Sequence, residues 1–247
     1  MALPTSSPPA LPRYAEIRRD LEAAILSGRW LPGHRVPSEH DLVARYGCSR
    51  MTVNKALSGL ATAGLIVRRR RSGSFVATPA VEESVLEIHD IPAEIARGGK
   101  PYRFVLTTRA ERKASARDAA RLGVAPRTPV LALACLHFAG NEAFAAEDRL
   151  INLDSVPAAR SADFTASPPG SWLLARIPWS RAEHRISAIN APGELAQALG
   201  IARGGACLQV ERGTWQAGAA ITQVVLTYPG DRHHLIARFS PAGAARG

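Results

Sequence analysis

Ser49-Arg50-Met51-Thr52-Val53-Asn54-Lys55-Ala56-Leu57-Ser58-Gly59-Leu60 is the stretch on which the reading of this chain turns. Val53, Ala56, Leu57 and Leu60 recur at helical spacing and make one buried face, and Ser49 stands where an N-cap is wanted. Arg50, Met51, Thr52, Asn54, Lys55 and Ser58 are left pointing outward. Arginine pairs bidentately with guanine and asparagine with adenine, while lysine and threonine suit phosphate oxygens, so this set matches what a DNA major groove offers. Taken alone, the same pattern also describes a solvated surface helix carrying a few cations. The flanking sequence decides between the two.

Upstream, Ser38 followed by Asp41 resembles a capping box, Leu42, Val43 and Tyr46 supply an apolar face, and Gly47 sits where a left-handed residue closes a helix. Two short helices joined by a glycine-containing turn make a helix-turn-helix, with the second helix as the reader. Downstream, residues 64 to 76 hold two β-prone arms around the basic run Arg68-Arg69-Arg70-Arg71, which predicts a winged hairpin. Residues 14 to 26, with Ile17, Leu21, Ala24 and Ile25 on one side, predict the first helix of the module.

Gly28-Arg29-Trp30-Leu31-Pro32-Gly33-His34-Arg35-Val36-Pro37-Ser38-Glu39, then Ser49-Arg50-Met51-Thr52-Val53, Gly64-Leu65 and Gly73-Ser74-Phe75-Val76, resemble the GntR family of bacterial transcription regulators over residues 13 to 78. Where that family's wing usually reads Gly-x-Gly, Arg71 occupies the first glycine position. The resemblance implies DNA contacts from Arg35, Ser38, His40, Ser49, Arg50, Thr52, Asn54, Lys55, Arg69, Arg70, Arg71 and Gly73. Arg50 and Asn54 are expected to discriminate bases, and Lys55 with the wing arginines to hold the backbone.

The 247 residues suit two domains of ordinary size, and the formal net charge of +10, from 31 Lys and Arg against 21 Asp and Glu, fits a polyanionic partner. Residues 1 to 12, rich in proline and small residues, read as a disordered tail rather than a signal peptide. A cytoplasmic protein is expected, since nowhere do enough consecutive apolar residues occur to span a bilayer. Cys48, Cys135 and Cys207 are odd in number and lack metal-ligand spacing, so reduced thiols are expected, with no metal and no cofactor.

After a linker over residues 79 to 84, residues 85 to 240 alternate strand and helix patterns. Strands are expected over residues 84–88, 102–108, 130–138, 143–151, 185–189, 206–214, 221–228 and 235–239. Helices are expected over 91–97, 115–122 and 193–199, with a short one opening at Pro169-Gly170. The fold class is α+β: a winged helix-turn-helix followed by an antiparallel α+β domain. This half resembles the UTRA effector domain, which shares the fold of chorismate lyase. His137, Glu147-Asp148-Arg149-Leu150-Ile151-Asn152, Glu183-His184, Arg212-Gly213-Thr214-Trp215 and Tyr228-Pro229-Gly230-Asp231-Arg232 carry a narrower likeness to the histidine-utilisation repressors, which answer to urocanate. Members that sense sugar phosphates usually have arginine at both inward positions where this chain has Cys135 and His137.

Glu147 and Arg149 alternate onto one face of a strand, and with His137, Ser171 and Tyr228 they are the expected effector contacts. Arg149, or the backbone amides near Ile91-Pro92-Ala93, would hold a carboxylate. The implied protein is a homodimeric repressor that binds a pseudo-palindromic operator and releases it on binding urocanate. A regulator of the same architecture that senses a sugar phosphate stands as an alternative. An enzyme stands as another, with Glu147 and His137 as acid and base, although no nucleophile motif, phosphate loop or cofactor fingerprint accompanies them and no catalytic residue is assigned.

Overall fold

The computed structural model describes residues 12–69, 72–77 and 90–235. Its first module contains helices α1 (Arg13–Leu26), α2 (Glu39–Tyr46) and α3 (Arg50–Thr62), then an antiparallel hairpin of β1 (Ile66–Arg69) and β2 (Gly73–Val76). Helix α2 starts at the expected capping box: Ser38 Oγ accepts from the Asp41 amide at 3.2 Å, and the Asp41 carboxylate accepts from the Ser38 amide at 3.1 Å. It stops at Gly47, whose φ of 58° is left-handed and favours a residue without a Cβ. Ser49 then caps α3 by accepting from the Thr52 amide at 3.2 Å. Ile17, Leu21 and Ile25 of α1 pack on Val53, Leu57 and Leu60 of α3, so the face read from spacing is the core of the module.

The second module is a six-stranded antiparallel sheet with helices around it. In chain order come α4 (Ile91–Arg97), β3 (Tyr102–Lys113), α5 (Ala116–Leu122), β4 (Pro129–Ala139), β5 (Glu142–Asn152), a 3-10 turn (Pro157–Arg160), α6 (Pro169–Arg176), β6 (Arg181–Asn190), α7 (Gly193–Leu199), β7 (Ala206–Gln216) and β8 (Ala219–Pro229). The sheet order is β3-β4-β5-β8-β7-β6. Each expected element within the described residues is present, most of the strands extended by a few residues. The strand expected over 84–88 and the linker over 79–84 lie outside the described residues, as does the closing strand over 235–239 apart from Leu235.

Register places the functional side chains. Leu133, Arg149, Val224 and Arg212 are successive Cα partners across β4, β5, β8 and β7, so all four project from the same face of the sheet. Phe164, Trp172, Leu173 and Ile177 pack with Leu133, Ile151 and Ile221 and seat α6 over that face.

The modules touch directly. Gln216, at the end of β7 and 2% exposed, donates through Nε2 to the Ala63 carbonyl at the C-cap of α3, at 2.8 Å. Beside it, a Cβ on Gly64 would lie 3.4 Å from Ser180 Cβ.

Gly213 has a packing role, because a Cβ there would lie 2.3 Å from the Trp215 ring. Gly213→Ala should therefore destabilise the protein by about 1–3 kcal/mol through overpacking. In a Trp215→Ala background the same change should cost far less, as read from urea denaturation midpoints of the four chains.

Candidate functional site

The front of α3 and the hairpin form one basic surface. Arg50 is exposed and makes no hydrogen bond or ion pair among the described residues. Met51 is 78% exposed, which puts a large apolar side chain in water on the first turn of α3. The Thr52 hydroxyl lies 2.9 Å from Ser49 Oγ, and the Lys55 ammonium rests 4.0 Å from the centre of the Tyr14 ring. Arg69 lies over Phe75 at 5.3 Å, and Arg35 pairs with Phe75 and lies against Gly73, joining the segment before α2 to the hairpin. His40 is exposed near Asp41, and Ser38 is committed to its capping box. Arg70 and Arg71 lie outside the described residues.

Asn54 is bound into a network. Arg68 Nη1 donates to Asn54 Oδ1 at 2.8 Å and to Ser58 Oγ at 3.3 Å, while its Nη2 donates to Glu39 Oε1 at 2.7 Å. Ser58 Oγ also donates to Asn54 Oδ1 at 3.2 Å. Among the cations of the wing, Arg68 is thus held by the protein itself.

The second module carries a cleft between α6, the start of α4 and the inward face of the sheet. His137, Glu147, Arg149 and Ser171 line it, together with Asp90, Arg212, Trp179 and a wall of Leu173, Leu174, Ile177 and Leu226. Glu147 Oε1 accepts from Arg149 Nε at 2.6 Å, and Oε2 meets His137 Nε2 at 3.0 Å. The Tyr102 hydroxyl lies 2.9 Å from His137 Nδ1, so both ring nitrogens are engaged. Burial alone would raise the Glu147 carboxyl, but the Arg149 charge and the His137 and Arg149 hydrogen bonds overcome it and bring the pKa down to about 2. Burial, then the Glu147 charge, pushes the neighbouring Cys135 thiol up to about 12, so it stays a neutral packing residue. Arg149 also reaches Thr222 Oγ1 at 3.3 Å, and its Nη2 lies 3.3 Å from where a Gly170 Cβ would stand.

Two polar lining residues that keep open hydrogen-bond donors were not expected from sequence. Arg212 is 8% exposed, faces the cleft, and has no hydrogen bond or ion pair among the described residues. Burial, then the like charge of Arg149, lowers its pKa to about 10, which keeps it cationic at neutral pH. Trp179 Nε1 is buried with no acceptor among the described residues. A cation and an N–H donor lining one cleft, both without hydrogen-bond partners among the described residues, are what an anionic ligand with further acceptors would satisfy.

Two expectations are corrected. Tyr228 does not line the cleft: it lies one step further along β8, stacked 3.9 Å from the His233 ring and edge-on to Phe144, within an apolar cluster. The amides at the start of α4 are poorly placed to hold a carboxylate, because Asp90 puts a negative charge there and accepts a hydrogen bond from Ser171 Oγ. Among the described residues no group of three His, Cys, Asp or Glu could hold a metal ion, and no helix is long and apolar enough to cross a membrane.

Removing the Glu147 charge should be costly, since it strands a buried guanidinium. Glu147→Gln is expected to destabilise the fold by about 3–5 kcal/mol at neutral pH. Because the folded pKa of Glu147 lies below its ordinary 4.5, its contribution is present above that value and fades as pH falls toward about 2. Asp118, held low by Arg112 and Ser115, weakens in the same acid range. Melting temperatures between pH 2 and 7 should therefore fall less steeply on acidification in Glu147→Gln, with the Asp118 part of the slope retained.

Residues 13–76 match the gntR family of bacterial regulatory proteins, and residues 97–234 match the UTRA domain. The chain is 38% identical to the histidine utilization repressor of Pseudomonas aeruginosa over 93% of its own length and 92% of the relative's. It is 34% identical to that of Klebsiella aerogenes over 96% and 97%. The solved C-terminal domain of the histidine utilization repressor from Pseudomonas syringae pv. tomato superposes with a TM-score of 0.53 at 28% identity, covering 57% of this chain and 99% of that one. A winged reading module joined to a UTRA sheet with a ligand cleft makes this chain a member of the GntR family of transcription regulators, in the branch that carries a UTRA effector domain.

Proposed function

We propose that the chain is a homodimeric repressor of histidine-degradation genes, released from its operator by urocanate. The observation that carries the reading is Arg212, a buried cation that faces the cleft and makes no hydrogen bond or ion pair among the described residues. Urocanate joins a carboxylate to an imidazole through a flat apolar linker. The carboxylate goes to Arg212, since Arg149 is already balanced by Glu147; the imidazole takes its hydrogen bond from Trp179 Nε1, and Leu173, Ile177 and Leu226 face the linker. His137, Glu147 and Ser171 complete the polar lining. The relatives named for histidine utilisation support the choice of pathway.

A sugar phosphate suits the cleft less well. Arg149 and Arg212 against Glu147 and Asp90 are two cations and two anions, which sum to zero with His137 left aside. A monocarboxylate disturbs that balance less than a phosphate dianion does.

On the DNA side, Arg50 and Asn54 read bases, Met51 is available to a thymine methyl, and Lys55, Arg35 and Arg69 to Arg71 hold phosphates. A single reading helix covers only a few base pairs, so two copies bind two half-sites on one face of the duplex. Urocanate acts by preferring a dimer whose helices no longer match the half-site spacing, because equal affinity for both forms would shift nothing.

Calorimetry on the full chain with urocanate, histidine and glucosamine-6-phosphate, repeated on operator DNA, tests the effector. Urocanate should bind, weaken operator affinity, and bind roughly 10- to 100-fold less tightly to Arg212→Ala, the loss of a hydrogen bond to a charged group. Binding of the sugar phosphate alone would overturn the effector, and a stable monomer on operator DNA in sedimentation would overturn the dimer. Arg50→Ala should relax discrimination at one base pair by about 1–3 kcal/mol, whereas Arg69→Ala should weaken all sequences alike and flatten the salt dependence.

A further inference from the structure

We infer that Arg68 fixes Asn54 as a donor-only reader, so that Asn54 selects a guanine or thymine in the operator over adenine and cytosine. The inference rests on the DNA-reading role proposed above for α3.

The argument begins with which atom of the amide faces Arg68. A guanidinium has donors and no acceptor, so the Asn54 atom 2.8 Å from Arg68 Nη1 must be the oxygen. Chemistry thus decides an orientation that is otherwise a matter of assignment. Ser58 Oγ, one helical turn along α3, donates to the same oxygen at 3.2 Å, so both lone pairs of Oδ1 are in use. Arg68 does not swing freely, because its other nitrogen is held by Glu39 at 2.7 Å from the first turn of α2. Three elements of the module therefore converge to present the Asn54 amide with its NH2 group outward and its oxygen turned in.

That orientation changes what the residue reads. Bidentate pairing with adenine needs the asparagine oxygen to accept from N6 while the NH2 donates to N7. With the oxygen occupied, only the NH2 donors remain, and they are matched by the N7 and O6 acceptors of guanine or the O4 of thymine. Adenine keeps N7 as an acceptor but sets the N6 donor beside it, so it offers the NH2 group one acceptor where guanine offers two, and cytosine N4 would meet the NH2 group donor to donor. Arg68 is accordingly a specificity-positioning residue: it acts on the base through Asn54, whereas Arg69 is left for a phosphate.

The test selects sites from duplex DNA with a randomised central segment, using the full chain as wild type, Asn54→Ala, Arg68→Met and Glu39→Gln. The base pair read by Asn54 is the one whose preference collapses in Asn54→Ala. In the wild type it should carry guanine or thymine, with about ten-fold weaker binding when adenine is substituted. Arg68→Met, which keeps the aliphatic stem and frees Oδ1, should move the preference at that base pair toward adenine and leave the other positions unchanged. Glu39→Gln, which loosens the Arg68 anchor without removing it, should give an intermediate preference. Adenine at that position in the wild type, no position that depends on Asn54, or an Arg68→Met profile identical to wild type there would each overturn the inference while operator binding stands. Failure of the wild type to select any sequence would instead overturn the DNA-reading role itself, and the inference with it. Circular dichroism melts of each variant show that a changed profile comes from a folded module.

Discussion

A carboxylate almost closed to water organises the second module. Glu147 divides its two oxygens between His137 and Arg149, and all three side chains are 4% exposed or less. An ionised group in such a place is tolerated only when paired and hydrogen-bonded, and losing either partner would leave a charge with nowhere to go. The pairing also fixes geometry. It holds Arg149 against Thr222 and under the first turn of α6, where Gly170 lets the guanidinium come close.

The same division recurs in both modules: one arginine is held by a carboxylate of the protein, and another makes no ion pair among the described residues. In the effector module Arg149 belongs to Glu147 and Arg212 faces the cleft; in the reading module Arg68 belongs to Glu39 and Arg50 faces solvent. The held arginines orient neighbours, while the others keep their donors open to an anion from outside. Arginine suits both tasks because its planar fork donates along several directions while staying charged when buried.

Much of this was legible in the sequence because local chemistry specifies it. The Ser38 capping box, the Gly47 stop and the spacing of Val53, Leu57 and Leu60 each depend on residues a few positions apart, and the structure realises all of them. Glu147 and Arg149 were legible as a pair because strand alternation puts them on one face. Arg212 was not, since Glu211 and Arg212 are adjacent and either could face inward until the β7–β8 register is known. Trp179 sits just after α6, where no periodicity reports on direction. Tyr228 was placed on the correct face of its strand, but one step beyond the cleft, a distance that alternation does not measure. The Asn54 network needed contacts spanning from Glu39 to Arg68, which no local pattern contains.

The hydrogen bond from Gln216 to the Ala63 carbonyl joins the last turn of α3 to the strand that carries Arg212 and Thr214. Strand β7 is paired on both edges, to β8 and β6, and its ladder with β8 shifts register between Thr214 and Trp215, just before Gln216. One neutral hydrogen bond contributes only about 0.5–1.5 kcal/mol, enough to change a population a few-fold. The junction is accordingly a catch rather than a weld, weak enough for thermal motion to release.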